Sequence, residues 1–263
     1  MPQTADAPEP QQPREPEQNR AGLRTNAGPG IDPHPNASAA GGTNLGDDTS
    51  GAPEHARQNG YPFFAYMYRL RYIRRWSLMR SVTRENVAEH AYQVALLTHA
   101  LCTIGNELFG RSYPTEHAVA LALFHDATEV FTGDIPTPVK HHNRDILRHF
   151  REIEREAAER LAGMVPEPLR RVYRPLIAGD TDRDDVRRIL KAADLLDAYL
   201  KCVTEQTAGN REFSVAQKQI EQAMRDMALP ELDYFLRQFA PSFSQTLDEM
   251  AKSENGSDPS SDA

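Results

Sequence analysis

An all-α fold, a compact helical bundle, is what this sequence predicts, on three observations. Apolar residues recur at helical spacing throughout 61–251, with no convincing strand-type alternation among them. Capping signals and Gly or Pro breaks divide the periodic stretch into helices joined by short loops, which favours a bundle of packed neighbours. The first sixty residues hold nine of the nineteen prolines, eight of the fifteen glycines and no Phe, Tyr or Trp. Such a segment buries too little apolar surface to offset its conformational entropy. The expected organisation is a disordered tail over 1–60, one domain over 61–251 and a polar, disordered tail over 252–263.

Each helix has a local reason. Asn86-Val-Ala-Glu89 has the form of a capping box and opens a helix from Val87 to about Ile104, with His90, Val94, Leu97 and Leu101 on one face. Pro114-Thr115-Glu116 opens a second, expected to run through Thr132; Gly133 ends it, and Pro136 with Pro138 sets a rigid turn. A third, about Asn143 to Met164, carries Ile146, Phe150, Ile153, Ala157 and Leu161 as one stripe opposite Glu and Arg. A short helix follows Pro166. The next, about Asp184 to Thr207, is seamed by Ile189, Ala193, Leu196, Leu200 and Val203. Two more are expected near Val215 to Met227 and Glu231 to Met250, the last bent at Pro241.

Composition narrows the function. The net charge is -8, most of it in the tails, which leaves the domain near neutral and without a basic face for a nucleic-acid polymer. No apolar run approaches the length of a membrane span, and the tail has neither a secretory apolar region nor the basic bias of a transit peptide. Cys102 and Cys202 lie in apolar helical segments and read as free thiols of a reducing cytosol, so the expected location is cytoplasmic. The Leu232, Phe235, Leu236, Phe239, Phe243 group is rich enough to be core or a subunit interface.

The chemistry concentrates in "LALFHDATEVFTGDIPTPVK", residues 121–140. A core helix there ends in His125, Asp126 and Glu129, three groups that are costly to bury alone. A lone histidine on an apolar face is more often a hydrogen-bonded core residue than a ligand. Here His90 lies on the inner face of the preceding helix, and Asp194 falls inside the apolar helix "LKAADLLDAYLKC". Two imidazoles and two carboxylates suit a divalent ion such as Mn, Fe, Co or Zn, and Glu129, at i+4 from His125, would be the nearby acid or base. Asp197 is open to two readings, a partner behind a ligand or a surface residue. His99, His117, His141, His142 and His149 read as surface or structural, although His141-His142 could contribute to a second metal site.

The order His90, His125-Asp126, Asp194 resembles that of the HD-domain metal-dependent phosphohydrolases. The segments "RRWSLMRSVTRENVAEH", "HDATEVFTGDIPTPVK" and "KAADLLDAYLKC" closely resemble the bacterial HD-domain 5′-deoxynucleotidases, over Phe63 to Met250. The resemblance implies an all-α fold and hydrolysis of deoxyribonucleoside 5′-monophosphates to deoxynucleoside and phosphate. By residue match, one divalent cation (Co, Mn, Mg or Zn) would be held by His90, His125, Asp126 and Asp194, of which His90, Asp126 and Asp194 would also border the substrate. Glu129 would be the catalytic carboxylate. Arg75 would engage the phosphate side, Trp76 would disfavour a ribose 2′-OH, and Asp134 would lie near the sugar. A homodimer is also implied. Alternatives are an HD phosphohydrolase acting on a triphosphate, a cyclic nucleotide or a guanosine polyphosphate, and a metal-stabilised regulatory module without turnover.

Overall fold

The computed structural model describes residues 60–140 and 142–255. Positions 1–59, to which the sequence assigns most of a disordered tail, lie outside them, as do 256–263. The described residues form eleven α-helices with short 3-10 turns and no strand; one isolated bridge joins Arg74 to Asn86. In chain order these are α1 (Phe63–Arg69), α2 (Val87–Leu108), α3 (Thr115–Phe124), α4 (Glu129–Thr132), α5 (Thr137–Lys140), α6 (Arg144–Gly163), α7 (Glu167–Ala178), α8 (Asp184–Thr207), α9 (Ser214–Met227), α10 (Pro230–Gln238) and α11 (Leu247–Asn255).

The anticipated capping box is complete. Asn86 Oδ1 accepts from the Glu89 amide at 3.1 Å, and Glu89 Oε2 accepts from the Asn86 amide at 3.2 Å. From that start α2 runs through the middle of the bundle, packed on α3, α8 and α10. Its face of His90, Val94, Leu97 and Leu101 is buried as its spacing requires. The facing seam of α8 is Ile189, Ala193, Leu196 and Leu200, also buried. Each such Leu or Ile stabilises the fold by about 1.5–3 kcal/mol through burial alone. Gly105 lets α2 approach its neighbours: a Cβ there would stand 2.4 Å from the Tyr113 ring. A second, smaller core gathers Phe63 of α1, Ala127, Leu161 and Ala162 of α6, and Ile177 of α7.

Three expectations give way. Ile153 does not join the buried stripe of α6; it is exposed, and the buried residues there are Ala157, Ala158, Leu161 and Ala162. The single bent helix expected over Glu231 to Met250 is two helices, α10 and α11, with a 3-10 turn Ala240–Ser244 between them, because Pro241 takes an early turn position instead of continuing α10. Helix α11 then runs on to Asn255, past position 252 where composition places a polar tail. The apolar group from Leu232 to Phe243 divides: Leu232 and Phe235 of α10 are core, while Phe239 and Phe243, beyond its end, are exposed.

Candidate active site

His90 enters the site one turn into α2 and is fully buried. Its Nδ1 lies 2.7 Å from Asp197 Oδ2 on α8. His125 caps the end of α3, and its Nδ1 lies 2.7 Å from the Ala122 carbonyl. A carbonyl oxygen can only accept, and a carboxylate does so as a rule, so both Nδ1 atoms carry hydrogen. Each neutral ring then turns its lone pair outward from Nε2, and these two nitrogens stand 3.2 Å apart.

Carboxylate oxygens close the group. Asp126 Oδ2 lies 3.3 Å from His90 Nε2 and 3.2 Å from His125 Nε2, and Asp194 Oδ1 lies 3.4 Å from His90 Nε2. The ligand atoms of His90, His125 and Asp194 all fall within 4.8 Å of one another. Lone pairs converging in this way repel one another unless a cation stands among them, so the donor set fits a divalent metal. Protons feel the same field. Although burial opposes it, contact with Asp126, Asp194 and Asp197 raises His90 well above its usual pKa. His125 is raised by Asp126 against its own desolvation. Asp126 and Asp194 are both held low despite burial, the first by His125 and His90, the second by His90 and Lys191.

The helix expected to run through Thr132 stops at Phe124. Residues 125–128 form turns, with Ala127 N donating to Phe124 O at 3.0 Å and Glu129 N to Asp126 O at 3.0 Å. The cause is local: the His125 ring occupies the Ala122 carbonyl that the Asp126 amide would use in a continued α-helix. The HD pair therefore rides on a turn, and α4 restarts at Glu129. Gly133 closes α4 as anticipated, at φ 71, with its amide on Glu129 O at 2.8 Å.

Glu129 is buried, and its Oε2 has no hydrogen-bond partner among the described residues. Burial, then the Asp126 and Asp134 charges, push its pKa up to about 9 against Lys140 and Arg75. Lys140 stands 3.9 Å from Glu129 and 3.2 Å from Glu154, so it is neither a freely solvated lysine nor a tight partner of Glu129. Asp134 is half-buried and adds its charge at both Glu129 and Arg75. Asp194 is half-buried, not fully enclosed, with Lys191 Nζ at 2.7 Å on its outer side.

Arg75 and Trp76 come from the helix-free stretch before α2. Arg75 Nε donates to Glu85 Oε1 at 2.7 Å, which leaves the outer nitrogens of the fork directed to the site; Nη1 is 3.7 Å from Asp126 Oδ2. Trp76 has φ 56, a left-handed conformation that for so bulky a residue stores on the order of 1–3 kcal/mol of strain. Its Nε1 is buried with no acceptor among the described residues. Arg69, Arg71, Arg74 and Arg80 are exposed, as are His99, His117, His142 and His149; His141 lies outside the described residues.

One neighbour of the site escapes sequence reading. Glu85 is a buried carboxylate that holds Arg75 and lies close to His90 and Asp197. Of the two readings open for Asp197, the partner behind a ligand holds: it is buried against His90. Cys102 and Cys202 are free and buried.

A family model described as 5'-deoxynucleotidase YfbR-like matches residues 62–243. This chain belongs to that family. Among curated members, the 5'-deoxynucleotidase VV1113 of Vibrio vulnificus is 44% identical over 189 residues, 72% of this chain and 97% of the relative. The 5'-deoxynucleotidase YfbR of Escherichia coli is 46% identical over 190 residues, 72% and 96% respectively. Among solved structures, an HD-domain phosphohydrolase from Listeria innocua aligns with TM-score 0.60 at 22% identity, over 74% of this chain and 97% of that one. The cyanophage S-2L HD phosphohydrolase DatZ, bound to dA and one catalytic Zn2+ ion, aligns with TM-score 0.51 at 23% identity, over 69% and 96%. Likenesses at that identity bear on the fold alone, and they agree with the all-α HD-domain architecture of this YfbR-like chain.

Proposed function

We propose that this chain is a divalent-metal-dependent 5′-deoxynucleotidase, which hydrolyses deoxyribonucleoside 5′-monophosphates to deoxynucleoside and phosphate. The observation that carries the reading is the convergence of His90 Nε2, His125 Nε2, Asp126 Oδ2 and Asp194 Oδ1 beside the Arg75 fork, in a chain of the YfbR-like family. In this reading His90, His125, Asp126 and Asp194 hold one divalent cation, drawn from Co, Mn, Mg or Zn. When bound, such an ion neutralises phosphate charge and acidifies water.

The chain's own residues do the rest. Arg75, fixed through Nε by Glu85, presents the remaining donors of its fork to phosphate oxygens. Glu129, a buried carboxyl whose charge feels that of Asp126, is the group that would give a proton to the leaving 5′-oxygen or take one from the attacking water. Trp76 walls the sugar side against a 2′-OH, and Asp134 borders the sugar. The catalytic unit is the domain 61–251, acting in the cytoplasm on a small-molecule nucleotide and not on a nucleic-acid polymer. It works as a homodimer, a reading supported by the exposed Phe239 and Phe243 beside α10.

The test strips the metal, returns Co, Mn, Mg or Zn separately, and measures phosphate release from dAMP, AMP and dATP. The expected result is metal-dependent release from dAMP with little from AMP. Cleavage of dATP alone would move the reading to a triphosphate hydrolase. Metal binding without release from any of the three would move it to a non-catalytic module.

A further inference from the structure

Trp76 holds its left-handed backbone only because its surroundings impose it, and those surroundings are unusual. Glu205 of α8 is buried, 2% exposed, beneath the loop that follows Trp76. Its carboxylate accepts from the amides of Val82 at 2.8 Å and Thr83 at 3.1 Å, from Lys201 Nζ at 2.6 Å and from Asn210 Nδ2 at 2.8 Å. Lys201 also donates to the Thr83 carbonyl, and Asn210 Nδ2 to the Arg80 carbonyl at 2.6 Å. Burial works against ionisation of Glu205, yet Lys201 and these amide donors hold its pKa down to about 2. The indole itself lies edge-on to Phe213, with ring centroids 5.3 Å apart, and Phe213 is fully buried. The Lys201 ammonium is 5.8 Å from the centre of the same Phe213 ring.

We propose that Phe213 and Glu205 are positioning residues for sugar selectivity: Phe213 backs the Trp76 indole, and Glu205 clamps the 80–83 loop so that the indole cannot swing away. This rests on the reading of Trp76 as the wall against a ribose 2′-OH. Neither residue touches substrate. An apolar wall can reject an added hydroxyl only as far as it stays in place, and such rejection is worth up to about 10²-fold. A loosened wall admits AMP.

Trp76 is the only tryptophan of the chain, so its fluorescence reports on this device alone. The test uses the full chain, loaded with the divalent ion that best supports dAMP hydrolysis, as Phe213→Leu, Glu205→Gln and Trp76→Phe. In the first two variants the ratio of kcat/KM for dAMP over AMP should fall about tenfold, chiefly through a lower KM for AMP. Trp76 emission should move to the red, and metal affinity should hold. An unaltered ratio in both, with Trp76→Phe shifted, would overturn the buttress and leave the wall reading standing. An unaltered ratio in Trp76→Phe would overturn the wall reading and the buttress with it. Should Phe213→Leu fail to fold, Glu205→Gln decides. Acrylamide quenching of the unaltered protein needs no variant: a shielded indole is expected, and a solvent-like one overturns the proposal.

Discussion

His90 and Asp194 reach the site from inside two long, mutually packed helices, whereas Arg75, with Trp76 next to it in sequence, comes from a stretch with no helix at all. The first pair inherits its position from a core of Leu101, Ile189 and Leu196. Around the second the contacts are individual ones: Glu85 on Arg75, Phe213 edge-on to Trp76, and Glu205 on the amides of Val82 and Thr83. Under the proposed function the difference separates two tasks. Gathering lone pairs around a cation demands backbones that do not yield. Choosing between sugars demands a wall whose placement a few side chains can adjust.

The comparison can be broken most severely on the helical side. Removing a helix-borne donor, as in Asp194→Ala or His90→Ala, should abolish tight metal binding and lower dAMP hydrolysis by about 10³-fold or more; metal titration and phosphate release read both. Glu129→Gln should keep the metal yet lose about 10²–10⁴-fold in kcat, and retained turnover would remove Glu129 from proton transfer. Asp197→Asn should weaken metal affinity about 10–100-fold, because the His90 ring loses the carboxylate that fixes its tautomer. On the loop side the effect is smaller and of another kind. Trp76→Ala should narrow the dAMP-to-AMP preference about tenfold, without the loss of metal seen for the ligand variants.

The smallest effect is one of pH. In the metal-free protein the raised His90 pKa contributes stability that is complete below about 6.5 and is lost as pH rises through the higher folded value. Glu129 acts in the same direction, its contribution fading from about 4.5 up to about 9. Above about pH 5, where the lowered Asp126, Asp194 and Glu205 make their full contribution, melting of the stripped protein should therefore weaken as pH rises. A divalent cation, competing with the His90 and His125 protons, should protect increasingly over the same range. A flat profile in the stripped protein would contradict the lone-pair convergence.

The helical side was also the more legible one in the sequence. Spacing along α2 and α8 sufficed to place His90 inward and Asp194 near the seam, and Asn86 and Glu89 marked where α2 begins. Local pattern failed where a side chain competes with the backbone. Nothing in "LFHDATEV" announces that the His125 ring takes a helix carbonyl and breaks α3. It failed again at α1, because "FFAYMYR" is apolar nearly all round and shows no face to follow. The buried acids were hidden for a third reason. Glu205 meets Val82 across 123 positions, so nothing local marks its burial; Asp197 is open in sequence to a role behind a ligand, and only its contact with His90 across 107 positions decides it. Buried carboxylates are defined by partners, and partners are tertiary.

The most direct measurement titrates the metal-stripped chain with Co2+ while following bound metal and dAMP hydrolysis together. Activity should rise in proportion to bound ion and reach its plateau at one equivalent per chain. Full dAMP hydrolysis in the stripped protein, or activity that appears only after the His90, His125, Asp126 and Asp194 group is already saturated, would contradict the claim that this group holds the ion on which the reaction depends.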